Sequence, residues 1–258
     1  MSAGRCYIGT SGWSYAHWAG GRFYPRGLKP GDWLPFLAER FNTLEINSSF
    51  YRPPRPQFIR RWKATTGAGF RFAIKLWRRI THDKKLTDCE QELGDFLNIV
   101  SQLGPRRGPL LVQLPPSLHK DVECLAQFVR LLRRRLGRRD WPVAIEFRCP
   151  TWLCDEVYTL LSEKGIAVCL ADLPRCPVTQ PNDAPLVYVR RHGPGGHYRG
   201  SYGAAEIAAD AASIRQWLAE GRDVYVYYNN DADGYAPENA RQLAALVGQN
   251  PEVGGTRA

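Results

Sequence analysis

At 258 residues and 44% hydrophobic content, the chain carries enough apolar material for one sizeable core, and we expect a single domain over residues 1–247 with a flexible tail over 248–258. No apolar stretch approaches the ~20 residues that cross a bilayer, no apolar leader follows Met1, and the seven cysteines form no CxxC pair. These features argue against membrane, disulfide-scaffold and zinc-ribbon classes and lead us to expect a cytoplasmic protein, while the net charge of +10 invites an anionic partner.

In chain order, the hydrophobic run 7–11 predicts a first strand, followed by a long aromatic loop through Trp13, Tyr15, His17, Trp18, Phe23 and Tyr24. Asp32 caps a predicted helix over 33–40, with Pro35 tolerable in its first turn. Runs 43–47 and 70–75 read as the second and third strands, and Asp88 opens a helix burying Leu93, Phe96, Leu97, Val100 and Leu103. After a fourth strand at 110–113, a helix beginning near Asp121 buries Val122, Leu125, Phe128, Val129, Leu132 and Leu136. It gathers Arg130, Arg133, Arg134, Arg135, Arg138 and Arg139 toward its C-terminal end, where cations complement the helix dipole. Without these six the charge excess is +4, so most of the basicity is expected to be a solvated helix end.

Runs 143–148 and 168–172 are the fifth and sixth strands, joined by a helix over about 155–164. Pro174, Pro177, Pro181 and Pro185 then predict an irregular crossover in place of a helix. Runs 187–192 and 224–231 complete eight strands, with helices over 205–220 and 237–247. Eight strands alternating with helices in about 250 residues predict an α/β fold, a (β/α)8 TIM barrel, imperfect at the proline-rich crossover, with its functional residues at the C-terminal strand ends.

Strand alternation assigns the faces. Leu44, Ile46, Phe72, Ile74, Leu110, Val112, Ile145, Phe147, Val187, Val189, Val224 and Val226 should face the helices. Glu45, Asn47, Lys75, Gln113, Glu146, Arg148, Tyr188, Arg190, Tyr227 and Asn229 should point into the barrel, while Asp172 falls on the opposite parity.

These inward residues offer several chemistries. Glu146 beside Arg148 should stay ionised, as a ligand anchor, metal ligand or general base, and Glu45 with Asn47 repeats the arrangement. Two glutamates ~5 to 9 Å apart would also suit a glycosidase. The competing reading is a buried ionic lattice of Glu45, Lys75, Glu146 and Arg148 that closes the core. Neighbouring carboxylates should keep Lys75 protonated, as a charge partner or ligand anchor in preference to a Schiff-base amine.

The seventh strand runs into Arg190-Arg191-His192-Gly193-Pro194-Gly195-Gly196-His197-Tyr198, which joins cations to glycines in the manner of a phosphate-binding loop. A tight turn whose arginine pairs with a mouth carboxylate is the alternative for that segment. One divalent cation held by Glu45, Glu146 and Asp172 or Asp231 is the metal arrangement the carboxylates offer.

The segments Ile8-Gly9-Thr10-Ser11-Gly12-Trp13-Ser14-Tyr15, Phe41-Asn42-Thr43-Leu44-Glu45-Ile46-Asn47-Ser48-Ser49-Phe50-Tyr51, Ile80-Thr81-His82, Gln113-Leu114-Pro115-Pro116, Glu146-Phe147-Arg148 and Tyr227-Tyr228-Asn229-Asn230-Asp231 together resemble the blocks of domain-of-unknown-function family seventy-two. The resemblance spans nearly the whole chain and implies a TIM barrel distantly akin to xylose isomerases and endonuclease IV, with no established reaction. The multinuclear metal centre of endonuclease IV needs several histidines, and only His192 lies at a strand end here, with His82 nearby and His17 and His119 in loops.

The expected function is therefore a hydrolase-like enzyme that binds a phosphate-bearing ligand, a nucleic-acid end or a sugar phosphate, at the mouth. Glu146, Glu45 and His192 are its expected catalytic residues, and Asn47, Lys75, Arg148, Arg190, Asn229, Trp13, Tyr15 and Tyr188 its expected binding residues. The alternatives are a carbohydrate-active enzyme using the paired glutamates with Trp13, Trp18, Trp77 and Trp152, or a non-catalytic binding protein.

Overall fold

The computed structural model describes residues 3–137 and 141–248, so Arg138, Arg139 and nearly all of the expected tail lie outside the described residues. Nine strands form one sheet with every ladder parallel: β1 (Cys6–Ser11), β2 (Thr43–Ile46), β3 (Arg71–Lys75), β4 (Arg107–Gln113), β5 (Val143–Glu146), β6 (Ile166–Val168), β7 (Leu170–Ala171), β8 (Leu186–Arg191) and β9 (Asp223–Tyr228). The order is β6-β5-β4-β3-β2-β1-β9-β8-β7. Its two ends, β6 and β7, are consecutive in the chain and separated by Cys169 alone, one half pairing with β5 and the other with β8. They make a single stave, and the sheet closes into an eight-membered TIM barrel.

The helices cover the outside: α1 (Trp33–Ala38), α2 (Ser48–Tyr51), α3 (Pro56–Ala64), α4 (Glu90–Val100), α5 (Val122–Leu136), α6 (Asp155–Glu163), α7 (Ala204–Ala219) and α8 (Ala236–Val247). The apolar parity of the strands packs beneath them, with Leu44, Phe72, Val112, Ile145, Val187 and Val226 meeting Leu37, Leu93, Phe128, Leu161, Ile207 and Leu243 in one core. Alpha-helix α5 starts as its sequence requires, with Asp121 Oδ1 accepting from Cys124 N at 2.9 Å. Residues 172–185 contain turns and an isolated antiparallel bridge between Ala171 and Val178.

The barrel interior has an apolar floor and a charged upper layer. Tyr7 and Tyr225 stack with centroids 4.4 Å apart, and above them Ala73, Leu111, Ala144, Ala167 and Cys169 pack around Tyr188 and Tyr227. Small residues on β3, β5 and β6 make room for the tyrosines of β1, β8 and β9. Gly9 serves the same economy of space, since a Cβ there would lie 2.2 Å from the Thr43 carbonyl oxygen on β2. No described helix is long and apolar enough to cross a membrane.

Candidate functional site

The upper layer is an ionic cluster centred on Arg190, which β8 sends inward on the same parity as Tyr188. Arg190 Nη1 donates to Glu146 Oε2 at 2.5 Å and Nη2 to Glu45 Oε1 at 2.8 Å, with a further bond to Ser11 Oγ at 3.2 Å. Arg148 pairs with the other oxygen of Glu146 through Nε. Tyr188 donates to Glu45 Oε2 at 2.6 Å, and Ser11 donates to Oε1. Both glutamates are fully buried, and Arg190 is 1% exposed. Burial alone would raise the Glu146 carboxyl, but Arg148 and Arg190 outweigh it and hold that carboxyl well below the usual range.

His192 completes the cluster. Its backbone N–H donates to Asp172 Oδ1 at 2.8 Å and its Nδ1 lies 3.3 Å from the same oxygen, while Nε2 faces Arg148 Nη2 at 3.1 Å and Arg190 Nη1 at 3.3 Å. A proton on Nδ1 leaves Nε2 to accept from both guanidiniums, so a neutral ring suits the site. Burial, with Arg190 adding to it against the Asp172 hydrogen bond, lowers the imidazole's pKa accordingly. Asp172, which strand parity left unplaced, sits beside the stave end and also accepts from Tyr202.

Above this cluster opens a cavity of about 840 Å³, lined by Trp13, Tyr15, Asn47, Phe50, Tyr51, Lys75, Gln113, Arg148, Arg175, Arg190, His197, Tyr198 and Asn229, with neighbouring glycine, serine and proline residues. The expected binding residues Trp13, Tyr15, Asn47, Lys75, Arg148, Arg190 and Asn229 thus meet at one mouth. Glu45, Glu146, His192 and Tyr188 do not line the cavity; they lie under it and hold one another. Arg190 reaches the cavity floor, but its two terminal nitrogens are committed to carboxylates and only Nε lacks a partner. Asn47 donates to Ser11 Oγ at 2.6 Å and leaves Oδ1 unpaired.

Three expectations change. The guanidinium of Arg190 stands between Glu45 and Glu146, where the sequence left room for one divalent cation, and the described residues contain no group of three His, Cys, Asp or Glu side chains able to hold a metal. The glycine-rich loop is folded on itself: Gly196 N donates to Gly193 O, Tyr198 N to His192 O and Gly193 N to Tyr202 Oη, each at 2.6 Å. A Cβ on Gly196 would lie 2.3 Å from Pro174 Cδ, so glycine is needed there for close approach to the crossover. Arg191 turns outward to Asp210 on α7. Lys75, finally, has no ion pair or hydrogen bond from Nζ among the described residues; Nζ sits 4.1 Å above the Phe50 ring. Burial, with help from Arg190 and against Glu146 and Glu45, pushes its amine down to about 7.

Of the loop aromatics, Trp18 and Tyr24 are fully buried, as is Trp152, which stacks on Phe147; neither Trp77 nor Trp152 borders the cavity. Phe50 and Tyr51 come from the short α2, which has no periodicity to announce it, and Arg175 from the crossover. Their one advance signal is position, just past a strand end.

The profile of the family described as "Protein of unknown function DUF72" matches residues 7–257. The chain is 33% identical over 111 residues to the UPF0759 protein YecE of Escherichia coli strain K12, a match spanning 43% of this chain and 38% of that relative. It is 23% identical over 274 residues to the UPF0759 protein YunF of Bacillus subtilis strain 168, covering 93% of this chain and 94% of the relative. Its structure is similar to that of a DUF72 family protein from Thermotoga maritima MSB8, with a TM-score of 0.83, 25% identity and coverage of 95% and 99%. D-psicose 3-epimerase shares the fold alone, with a TM-score of 0.53 at 11% identity over 86% and 95% of the two chains.

Proposed function

Since this chain belongs to the DUF72 family, whose description assigns no reaction, we propose from the chemistry of its own mouth that it is an enzyme-like barrel binding a small phosphate- or carboxylate-bearing ligand. The observation that carries this reading is the distribution of charge: both carboxylates of the upper layer are paired beneath the floor, whereas Lys75, Arg148 and Arg175 reach the cavity. An anion entering there meets guanidinium and amine groups in a cavity whose lining holds no carboxylate. A cavity of about 840 Å³ suits a small molecule, and the aromatic rims of Trp13, Tyr15, Phe50 and Tyr198 offer it apolar faces. One sheet and its covering helices account for the described elements, which supports treating residues 1–247 as one domain.

The roles shift within this reading. Arg148 and Lys75 are the ligand contacts, with Asn47 bordering the cavity beside them, and Arg190, Glu45, Glu146, Tyr188 and His192 are the scaffold that aims them. A hydrolytic base at Glu146 or His192 loses support, because neither borders the cavity. The glycosidase alternative loses support as well. Its general acid must carry a proton, and Glu146 is held ionised.

A thermal-shift titration tests the reading with inorganic phosphate, sugar phosphates, dicarboxylates and neutral sugars. An anion at 100 times its dissociation constant should stabilise the protein by about 2.7 kcal/mol, and Arg148→Ala should remove that shift. Equal shifts from neutral sugars, or full retention by Arg148→Ala, would overturn it.

A further inference from the structure

Lys75 is more than an anchor. It ends β3 with its amine in the cavity, and the two carboxylates that might have neutralised it are taken by Arg190 and Arg148. The groups facing it are Phe50 of α2, His82 of the π turn Arg79–Asp83, whose ring stands edge-on to Phe50 at 4.8 Å, and the charges of Glu45, Glu146, Arg148 and Arg190. A lysine that serves only to attract an anion does so as a hydrated ammonium. Lys75 instead lies against an aromatic face, within the field of two guanidiniums, with no acceptor for its protons among the described residues.

We propose that the anionic ligand of this mouth also carries an aldehyde or ketone, and that Lys75 Nζ condenses with it to an imine. This rests on the anion-binding reading and names the ligand class. The uncharged amine's lone pair attacks the carbonyl carbon, and the carbonyl π pair moves to oxygen, which takes a proton. The carbinolamine then expels that oxygen as water while nitrogen gives up its second proton, leaving a C=N bond. The net change is one carbonyl and one amine converted to one imine and one water, with no oxidant or reductant and no net proton. Arg148 and Arg175 hold the ligand's anion, and the solvent-open cavity exchanges the protons. With its amine pushed down to about 7 by burial, Lys75 has uncharged amine available near neutral pH.

Borohydride trapping tests this. Full-length protein at pH 7 is incubated with pyruvate or pyridoxal 5′-phosphate, reduced, and read by intact mass and peptide mapping. The expected result is one adduct per chain on the Lys75 peptide, formed at least tenfold faster than on any of the other six lysines, and absent in Lys75→Met. Adduct spread over the other lysines with Lys75 unmodified, or an adduct surviving in Lys75→Met, overturns the proposal. If the variant fails to fold, the adduct position in the wild type decides by itself. Lactate and inorganic phosphate separate the two readings. Stabilisation by these carbonyl-free anions without trapping defeats the imine and keeps anion binding, whereas trapping of a neutral aldehyde with no anion response defeats anion binding and keeps the nucleophile.

Discussion

Arg190 illustrates how one residue's role depends on what its neighbours leave free. Read as an anion receptor from its place at a strand end, it instead bonds two buried carboxylates 145 and 44 positions away in the chain. Arg190→Ala would strand both negative charges in the barrel core, and breaking such a buried pair costs about 3–5 kcal/mol. The unfolding free energy from urea titration should fall by that margin, and Arg190→Lys should restore little of it, because an ammonium cannot reach both carboxylates with parallel donors. A variant within 1 kcal/mol of wild type would contradict the central role given to Arg190. The same pairing bears on Lys75: the carboxylates expected to hold its proton pair with Arg190 and Arg148 instead, and burial then outweighs their remaining pull and lowers the amine.

At the scale of elements, the strand pattern and the helix pattern had different fates. Every run with two-residue alternation became a strand, because a barrel stave buries both faces and tolerates no slip of register. Helices with a full apolar stripe also appeared where expected, α5 with its Asp121 cap included, although Asp32 makes no side-chain capping bond at α1. By contrast, α3 rests on the buried pair Ile59 and Trp62, too few positions to define a period, and the four-residue α2 is held from outside by Ser49 Oγ donating to Lys75 O at 2.7 Å. The close fit of β1 on β2 carries a prediction. Gly9→Ala drives a methyl group into the Thr43 carbonyl, so β2 must shift and Glu45 with it. Overpacking of this kind costs about 1–3 kcal/mol, and guanidinium titration should find the loss; an unchanged midpoint would mean that β2 yields freely.

For the whole molecule, the perturbed groups define a pH profile. Glu146 and Asp172 are held below their ordinary values, so their stabilisation exists above those values and disappears as pH falls through the folded ones. His192 and Lys75 are lowered, so the unfolded chain binds their protons first and stability climbs as pH rises toward 6.5 for the histidine and between about 7 and 10.5 for the lysine. Asp210 and Asp231, raised by burial, oppose the acid limb. Cys169, Tyr188 and Tyr227 are raised by burial, so their contribution declines as pH passes 9.0 and 10.0. Urea midpoints measured from pH 4 to 11 should rise to about 9, peak between about 9 and 10, and then fall, with the gain above 7 smaller in Lys75→Met. A monotonic rise to pH 11 would refute this assignment of buried groups.

The barrel, its inward parity and the gathering of Trp13, Asn47, Lys75, Arg148 and Asn229 at one mouth followed from the sequence by itself. Period-two and period-3.6 patterns are local, and closure of a parallel sheet brings all strand ends to one rim. Which charge meets which was decided only by the tertiary structure. Glu45, Glu146, Arg148, Arg190 and Lys75 offer several neutral pairings on paper, and choosing among them takes distances of a few ångströms set by stave register and by the tyrosines beneath. That choice placed Arg190 between the carboxylates, set Glu146 and His192 away from the cavity lining, and left Lys75 Nζ over the Phe50 ring with no acceptor among the described residues.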